Sequence, residues 1–341
     1  MKNKYLALKK DIKKLVDKSS KFTKSHPYFV VIIMHELFRN LYYFDPYINS
    51  GEKNHFKRLK FTVDNLNNFA NIISNIGSYK KKVVNENYDT QILFGKLWEE
   101  RKKEKKLNSN KVLLELLNRA KININLIKGK KILDMGCGSG RFTNALAKLG
   151  CKLAVGIDLG DHGLKVAREF AKRNKIKNVK FIKASVLNLP FKDNAFDFVF
   201  CKGVLHHTGN LKKGLFEIKR ILKDESYAFL YLYGAGGIFW DTRKLMRKVI
   251  SKIPIDYTIK VLRDIGMPSR RTIFVDSWYV PIEEHVKKSE LENWFKKNNF
   301  LFRKYSNAKK IELEYRENKD KFFKEMYGSG ELRYIIQKVN K

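Results

Sequence analysis

From residue 131 to residue 233 the chain alternates short apolar runs with longer amphipathic stretches. The runs 131–135, 153–158, 179–182, 196–201 and 227–233 read as strands, the first with the apolar content of a buried parallel strand. Helical periodicity lies between them, as in 211–222, and strand alternating with helix predicts a parallel, doubly wound α/β sheet with its ligand beyond the carboxyl ends of the strands. After the fifth strand, 234–287 is too long for a simple connection and carries helical patterns at 239–253 and 257–265. A helix at 289–298, a sixth strand at 300–305 and a last strand at 332–339 complete a seven-stranded, mostly parallel, Rossmann-like sheet, with 309–330 a polar insertion before the last strand. Residues 1 to about 85 read as helical, with Leu6, Leu8, Ile12, Leu15 and Val16 sharing a face and the His26-Pro27 step breaking the pattern. A further helix is expected over 109–120. These patterns divide the chain into a helical extension over 1–108 and an α/β domain over 109–341, with 234–287 inserted as a cover.

The candidate chemistry begins where the first strand ends. Asp134 is followed by Gly136, Gly138 and Gly140 at alternate positions, with Cys137 and Ser139 between them, and then by a helical pattern. Glycines there let the chain turn sharply and bring bare N–H groups against a ligand. A phosphate-binding Walker loop would end in Gly-Lys-Ser/Thr, and a dinucleotide loop would read G-x-G-x-x-G. Neither is present. The form D-x-G-x-G-x-G resembles the first motif of class I S-adenosylmethionine-dependent methyltransferases. The resemblance implies that the loop wraps the amino-acid end of the cofactor and that Asp134 meets its amino group directly or through a water.

Later motifs extend the resemblance over about 130–235. Asp158 closes the second strand, where such folds bind ribose hydroxyls, and Leu159 follows it. At the end of the third strand the family usually carries an acid for the adenine amino group. Ser185 stands there, beside Val186, so Ser185 Oγ or a backbone carbonyl would replace it. Leu189-Pro190-Phe191, Phe196-Asp197 and Val204-Leu205-His206-His207 are similar to the family's small-molecule branch, in ubiquinone and menaquinone methyltransferases. Lys202 joins the cofactor set, whereas Asp197 reads as structural. Tyr88, Phe94 and Trp98 precede the first strand at a spacing similar to the family's aromatic lid.

Methyl transfer from a sulfonium is an in-line displacement, so positioning is the main requirement, and a hydroxyl or carbon acid also needs a base. The candidates are His206, facing the cofactor in the resembled family, and a second cluster of Asp276 and His285 in a segment read as a substrate wall. Glu283 and Glu284 have the alternative reading of helix N-terminal acids. The fourth strand is followed by Cys201-Lys202-Gly203-Val204, not the D/N-P-P-Y/F motif of enzymes that methylate exocyclic amines, and the Pro-Cys pair of RNA cytosine-5 enzymes is absent. A metal is not expected, since His, Cys and carboxylates show no ligand spacing. The implied acceptor is a small metabolite, lipid or glycan precursor.

Composition changes this picture in one respect. The 341 residues carry 71 basic and 35 acidic side chains, a net charge of +36, which raises the alternative of an RNA-modifying enzyme. The lysines are spread along the chain without a basic tail, so the charge by itself does not mark a nucleic-acid site. A third alternative is a cofactor-binding protein without activity. The basic amphipathic N-terminal stretch is compatible with peripheral membrane contact. Cys137, Cys151 and Cys201 show no paired spacing, and no signal-peptide pattern opens the chain, so a reducing cytoplasm is expected.

Overall fold

The computed structural model describes residues 2–42, 51–75, 109–266, 271–305 and 321–340. The chain divides into two compact units, one comprising residues 89–235, 281–309 and 329–341, the other 1–88, 236–280 and 310–328.

The first unit is built on strands β1 (Lys131–Met135), β2 (Leu153–Asp158), β3 (Val179–Lys183), β4 (Phe196–Lys202), β5 (Leu222–Tyr233), β6 (Phe300–Lys304) and β7 (Glu331–Lys338). They form one seven-stranded sheet in the order β3-β2-β1-β4-β5-β7-β6, with only β7 antiparallel to its neighbours. The expected mixed sheet is therefore observed. Strand β5 begins five residues earlier than its apolar run, because Phe196 pairs with Leu222 before the register shifts.

Helices α4 (Ser109–Arg119) and α5 (Arg141–Lys148) place Leu113, Leu117, Ala145 and Leu146 in one core with Ile132, Phe198, Phe200 and Phe229. The opposite core takes Leu215 and Ile218 of α7 (Leu211–Ile221) and Leu291 and Phe295 of α11 (Lys288–Lys297), packed with Leu133, Val155, Val199 and Leu230. Between β2 and β3, α6 (Asp161–Arg173) buries Gly163, Leu164, Ala167 and Ala171. Two-sided burial explains why β1 and β2 read as continuous apolar runs. Asp197 is structural, accepting from Lys131 N at 2.8 Å and pairing with Lys223 at 2.7 Å.

The second unit is helical: α1 (Lys2–Ser20), α2 (Pro27–Tyr42), α3 (Gly51–Ser74), α8 (Gly237–Ile250), α9 (Ile255–Asp264), α10 (Arg271–Tyr279) and α12 (Lys321–Tyr327). Its centre is aromatic, with Phe38 of α2 5.8 Å from Phe239 of α8 and 5.1 Å from Phe274 of α10 between ring centroids. Lys9 of α1 pairs with Asp241 of α8, and Tyr327 of α12 donates to the Leu41 carbonyl at 3.1 Å. The N-terminal helices thus share one core with the segment inserted after β5, where the sequence pattern suggested two separate features. Pro27 opens α2, where its missing N–H costs nothing. Leu6 departs from expectation: it is exposed, and the buried stripe runs through Tyr5, Leu8, Ile12, Leu15, Val16 and Ser19. Tyr5, three residues before Leu8, lies on that stripe, and Leu6 is turned off it by one helical step.

Candidate active site

The loop after β1 is shaped by its glycines. Gly136, Gly138 and Gly140 have φ of 68°, 53° and 70°, left-handed values that side chains rarely adopt. Space forbids a side chain as well: a Cβ on Gly136 would lie 2.5 Å from Val204, and one on Gly140 2.5 Å from Ala167 Cβ. Helix α6 approaches closely for the same reason, since a Cβ on Gly163 would meet the Gly138 carbonyl at 2.8 Å.

Two carboxylates flank this loop. Asp158, at the end of β2, accepts from Gly138 N at 2.8 Å and Gly160 N at 2.9 Å. A carboxylate has about four acceptor sites, so two backbone donors leave capacity for ribose hydroxyls. Asp134 is buried and accepts from Thr143 Oγ1 at 2.6 Å. Burial pushes its pKa up to about 7, with Asp158 adding to the rise, while the Thr143 hydrogen bond and Lys202 oppose it. A carboxyl poised there gains an ionised partner's attraction once an ammonium arrives. Burial also raises the Cys137 thiol far above its ordinary range, so Cys137 is a neutral lining residue.

The remaining cofactor candidates lie at the same strand ends. Leu159 is exposed beyond β2, and Val186 is buried beyond β3. Ser185 Oγ accepts from Leu187 N at 3.1 Å, forming a local turn. The Lys202 ammonium is 5.4 Å from the Phe142 ring and 5.8 Å from the Tyr231 ring.

Past β4, a single 3₁₀ turn (Leu205–His207) carries both histidines. His206 is fully buried, its ring stacked on Tyr233 at 3.7 Å between centroids. His207 Nδ1 lies 2.9 Å from the Ile282 carbonyl, which can only accept, so Nδ1 carries the proton. Glu284 fixes this turn from two directions. Its N–H donates to the His206 carbonyl at 2.7 Å, and its carboxylate accepts from Leu211 N, at the start of α7, at 3.0 Å. Glu284 is thus an acid at a helix N-terminus, although the helix is α7 and not the one that follows it in sequence. His285 donates from Nδ1 to the Gly234 carbonyl at 2.8 Å and meets Glu283 Oε1 through Nε2 at 2.8 Å. Val286 N and O bond to Tyr233 O and Ala235 N at 3.2 and 3.0 Å. Residues 282–286 therefore form a strap across the ends of β4 and β5.

Residues 126–236 match the family described as a methyltransferase domain. Over 94 residues the chain is 45% identical to an uncharacterised protein of Methanocaldococcus jannaschii, covering 28% of this chain and 36% of that one. Over 102 residues it is 36% identical to a demethylmenaquinone methyltransferase of a Geobacillus species, covering 29% and 44%. Over 97 residues it is 35% identical to the sterol 24-C-methyltransferase of Schizosaccharomyces pombe, covering 28% and 25%. The chain carries a class I S-adenosylmethionine-dependent methyltransferase domain. The matched segment spans less than half of each relative's length.

The first unit brings together Asp134, Gly136, Cys137, Gly138, Gly140, Asp158 and Lys202 at the β1, β2 and β4 ends, and His206 with His285 around Tyr233. Asp276 is not part of that unit. It sits on α10 of the helical unit, and its Oδ1 has no hydrogen-bond partner among the described residues. Tyr88, Phe94 and Trp98 lie outside the described residues. Sequence reasoning missed Tyr233 and the strap. Tyr231 and Tyr233 share one sheet face by alternation, a signal available in the sequence, but nothing local ties 282–286 to residues some seventy positions earlier. Among the described residues no group of His, Cys, Asp and Glu could hold a metal ion. No helix of the described residues is long and apolar enough to cross a membrane.

Proposed function

We propose that the protein transfers a methyl group from S-adenosylmethionine to an oxygen or carbon atom of a small metabolite, lipid or glycan precursor. The observation that carries the reading is the left-handed glycine loop clasped by Asp158 and flanked by buried Asp134 at the carboxyl ends of β1 and β2. Asp158 takes the ribose, Leu159 and Val186 line the adenine, and Asp134 receives the ammonium. When bound, the cofactor supplies an electrophilic methyl carbon; this chain supplies position and a place for the acceptor's proton. His206, enclosed against Tyr233, is the proton-accepting candidate, while His285, with both ring nitrogens engaged, orients the turn after β5. Asp276 remains a candidate for the acceptor side. The named activities of the quinone and sterol relatives, both small-molecule methylations, support the acceptor class.

Incubating the protein with isotopically labelled cofactor and an extract of its source cells tests this. A labelled small molecule heavier by one methylene is expected, and its absence with an active cofactor-binding protein would refute the reading. The net charge of +36 favours one second reading, methylation of RNA. Retention of structured RNA that falls steeply with salt, with label in a nucleoside, would select it.

A further inference from the structure

The strand register lines up four polar side chains in one row across four neighbouring strands. Lys202 of β4 is paired with Tyr231 of β5, and Tyr231 with Arg333 of β7. Tyr305, just past β6, donates its N–H to the Arg333 carbonyl at 3.0 Å. Strand β1 runs beside β4 with Met135 opposite Cys201, so the row starts abreast of Gly136 of the cofactor loop. All four side chains are on the face that holds Phe200, Phe229 and Ile335 one pleat lower, because residues two apart share a face.

The chemistry of the row is cationic and rich in donors. Lys202 and Arg333 both lie over the Tyr231 ring, at 5.8 and 4.3 Å from its centroid. Two carboxylates act on the row among the described residues: Glu331 accepts the Tyr231 hydroxyl at 2.9 Å and pairs with Arg333, and Asp134 attracts Lys202. Among the described residues Glu331 engages one of Arg333's five N–H donors. The second observation is Tyr305. Its side chain is buried, 5% exposed, and its hydroxyl has no hydrogen-bond partner among the described residues. Burial raises its pKa and keeps the phenol protonated, with Arg333 and Glu331 acting on it in opposite senses. A buried hydroxyl forfeits the hydrogen bond it made in water unless something restores it. A ligand oxygen that only accepts would use this donor together with the guanidinium N–H groups of Arg333 that Glu331 does not engage.

We propose that the row formed by Lys202, Tyr231, Arg333 and Tyr305 binds an anionic oxygen group, a carboxylate or phosphate, of a molecule held at the strand ends beside the glycine loop. The inference rests on the cofactor reading of that loop. The anion has two possible sources, the carboxylate of the cofactor's own amino-acid end or an acidic group of the methyl acceptor.

Titration calorimetry on the full chain separates these. The probes are S-adenosylhomocysteine, which carries the amino-acid end, 5′-methylthioadenosine, which lacks it, and inorganic phosphate. The proteins are wild type, Tyr305→Phe, which removes one oxygen atom, and Arg333→Gln, each checked by melting. If Arg333→Gln does not fold, Tyr305→Phe carries the test. Loss of roughly tenfold in S-adenosylhomocysteine affinity in Tyr305→Phe, with methylthioadenosine unchanged, supports the proposal and assigns the anion to the cofactor. Unchanged S-adenosylhomocysteine binding, with a single phosphate site of the wild type lost in the variants, supports it and assigns the anion to the acceptor. Variants that bind every probe as the wild type does overturn it, as does a wild type without a phosphate site whose S-adenosylhomocysteine affinity the variants keep. Should the wild type bind neither nucleoside, the cofactor reading falls, and the phosphate titrations alone then decide the row.

Discussion

The carboxyl ends of β1 and β2 and those of β4 and β5 are built in opposite ways. At the first pair, the site is made by a short stretch of chain acting on itself: three left-handed glycines, with Asp158 twenty residues from the N–H it accepts. At the second, the 3₁₀ turn bearing His206 and His207 is held by a strap arriving from residues 282–286, more than seventy positions later. A local backbone device tolerates little change in the residues that shape it, because φ and Cβ space are fixed together. A device assembled from distant side chains spreads its cost over several hydrogen bonds, and each is replaceable in part. On the proposed reading the donor end of the reaction is the rigid part of the domain and the acceptor end the adaptable one, as expected where fold sets the cofactor and attached segments set the substrate.

The largest expected effect breaks the first end outright. Gly140→Val should destabilise the protein by about 3–5 kcal/mol, from a β-branched residue at φ of 70° driven into Ala167 and Phe181. Chemical denaturation measures this, and a loss below about 1 kcal/mol would mean that the loop relaxes freely. Asp158→Asn keeps the shape but faces an amide N–H₂ toward a backbone donor. It should cost about 2 kcal/mol and weaken cofactor binding at least tenfold, both readable from melting and calorimetry.

Asp134 sharpens the contrast through pH. Its folded-state pKa of about 7 lies above the ordinary aspartate value, so the native state holds the proton more tightly than the unfolded chain. Its contribution is full below about pH 4 and is lost as pH rises toward about 7, on the order of 1 kcal/mol per pH unit at its steepest. Asp134→Asn should flatten that part of the stability profile. A cationic ligand group beside Asp134 should release its proton, so the heat of cofactor binding near neutrality should vary with the ionisation enthalpy of the buffer. Identical heats in phosphate and Tris would remove Asp134 from the ammonium site.

The smallest effect belongs to the strap. Glu284→Ala leaves the backbone contact to His206 but uncaps Leu211 N–H, and should cost about 1 kcal/mol. Glu284→Gln, which still offers an oxygen, should recover most of it. A loss as large as that of Gly140→Val would show that the two ends are not built differently.

The same difference explains what could be read in advance. Each strand from β1 to β5 contains a short, mostly apolar run, and the glycine spacing is a local signal, so the sheet and the candidate cofactor loop were legible. Leu6 was misplaced because Leu6 and Leu8 lie about 200° apart on a helix, and Tyr5 takes the stripe instead. The union of the N-terminal helices with 236–280 rests on ring contacts such as Phe38 with Phe274, which no local period encodes. For the same reason Asp276 and His285, close in sequence, belong to different units, and Tyr233 emerged as the centre of the histidine cluster only in three dimensions.

The central claim is that the glycine loop binds the methyl donor. Titration of the folded chain with S-adenosylhomocysteine, beside a Gly138→Val variant shown by circular dichroism to keep its fold, tests it most directly. One site per wild-type chain, lost in the variant, is the predicted result. No binding to the wild type, or equal binding to a folded variant, would contradict it.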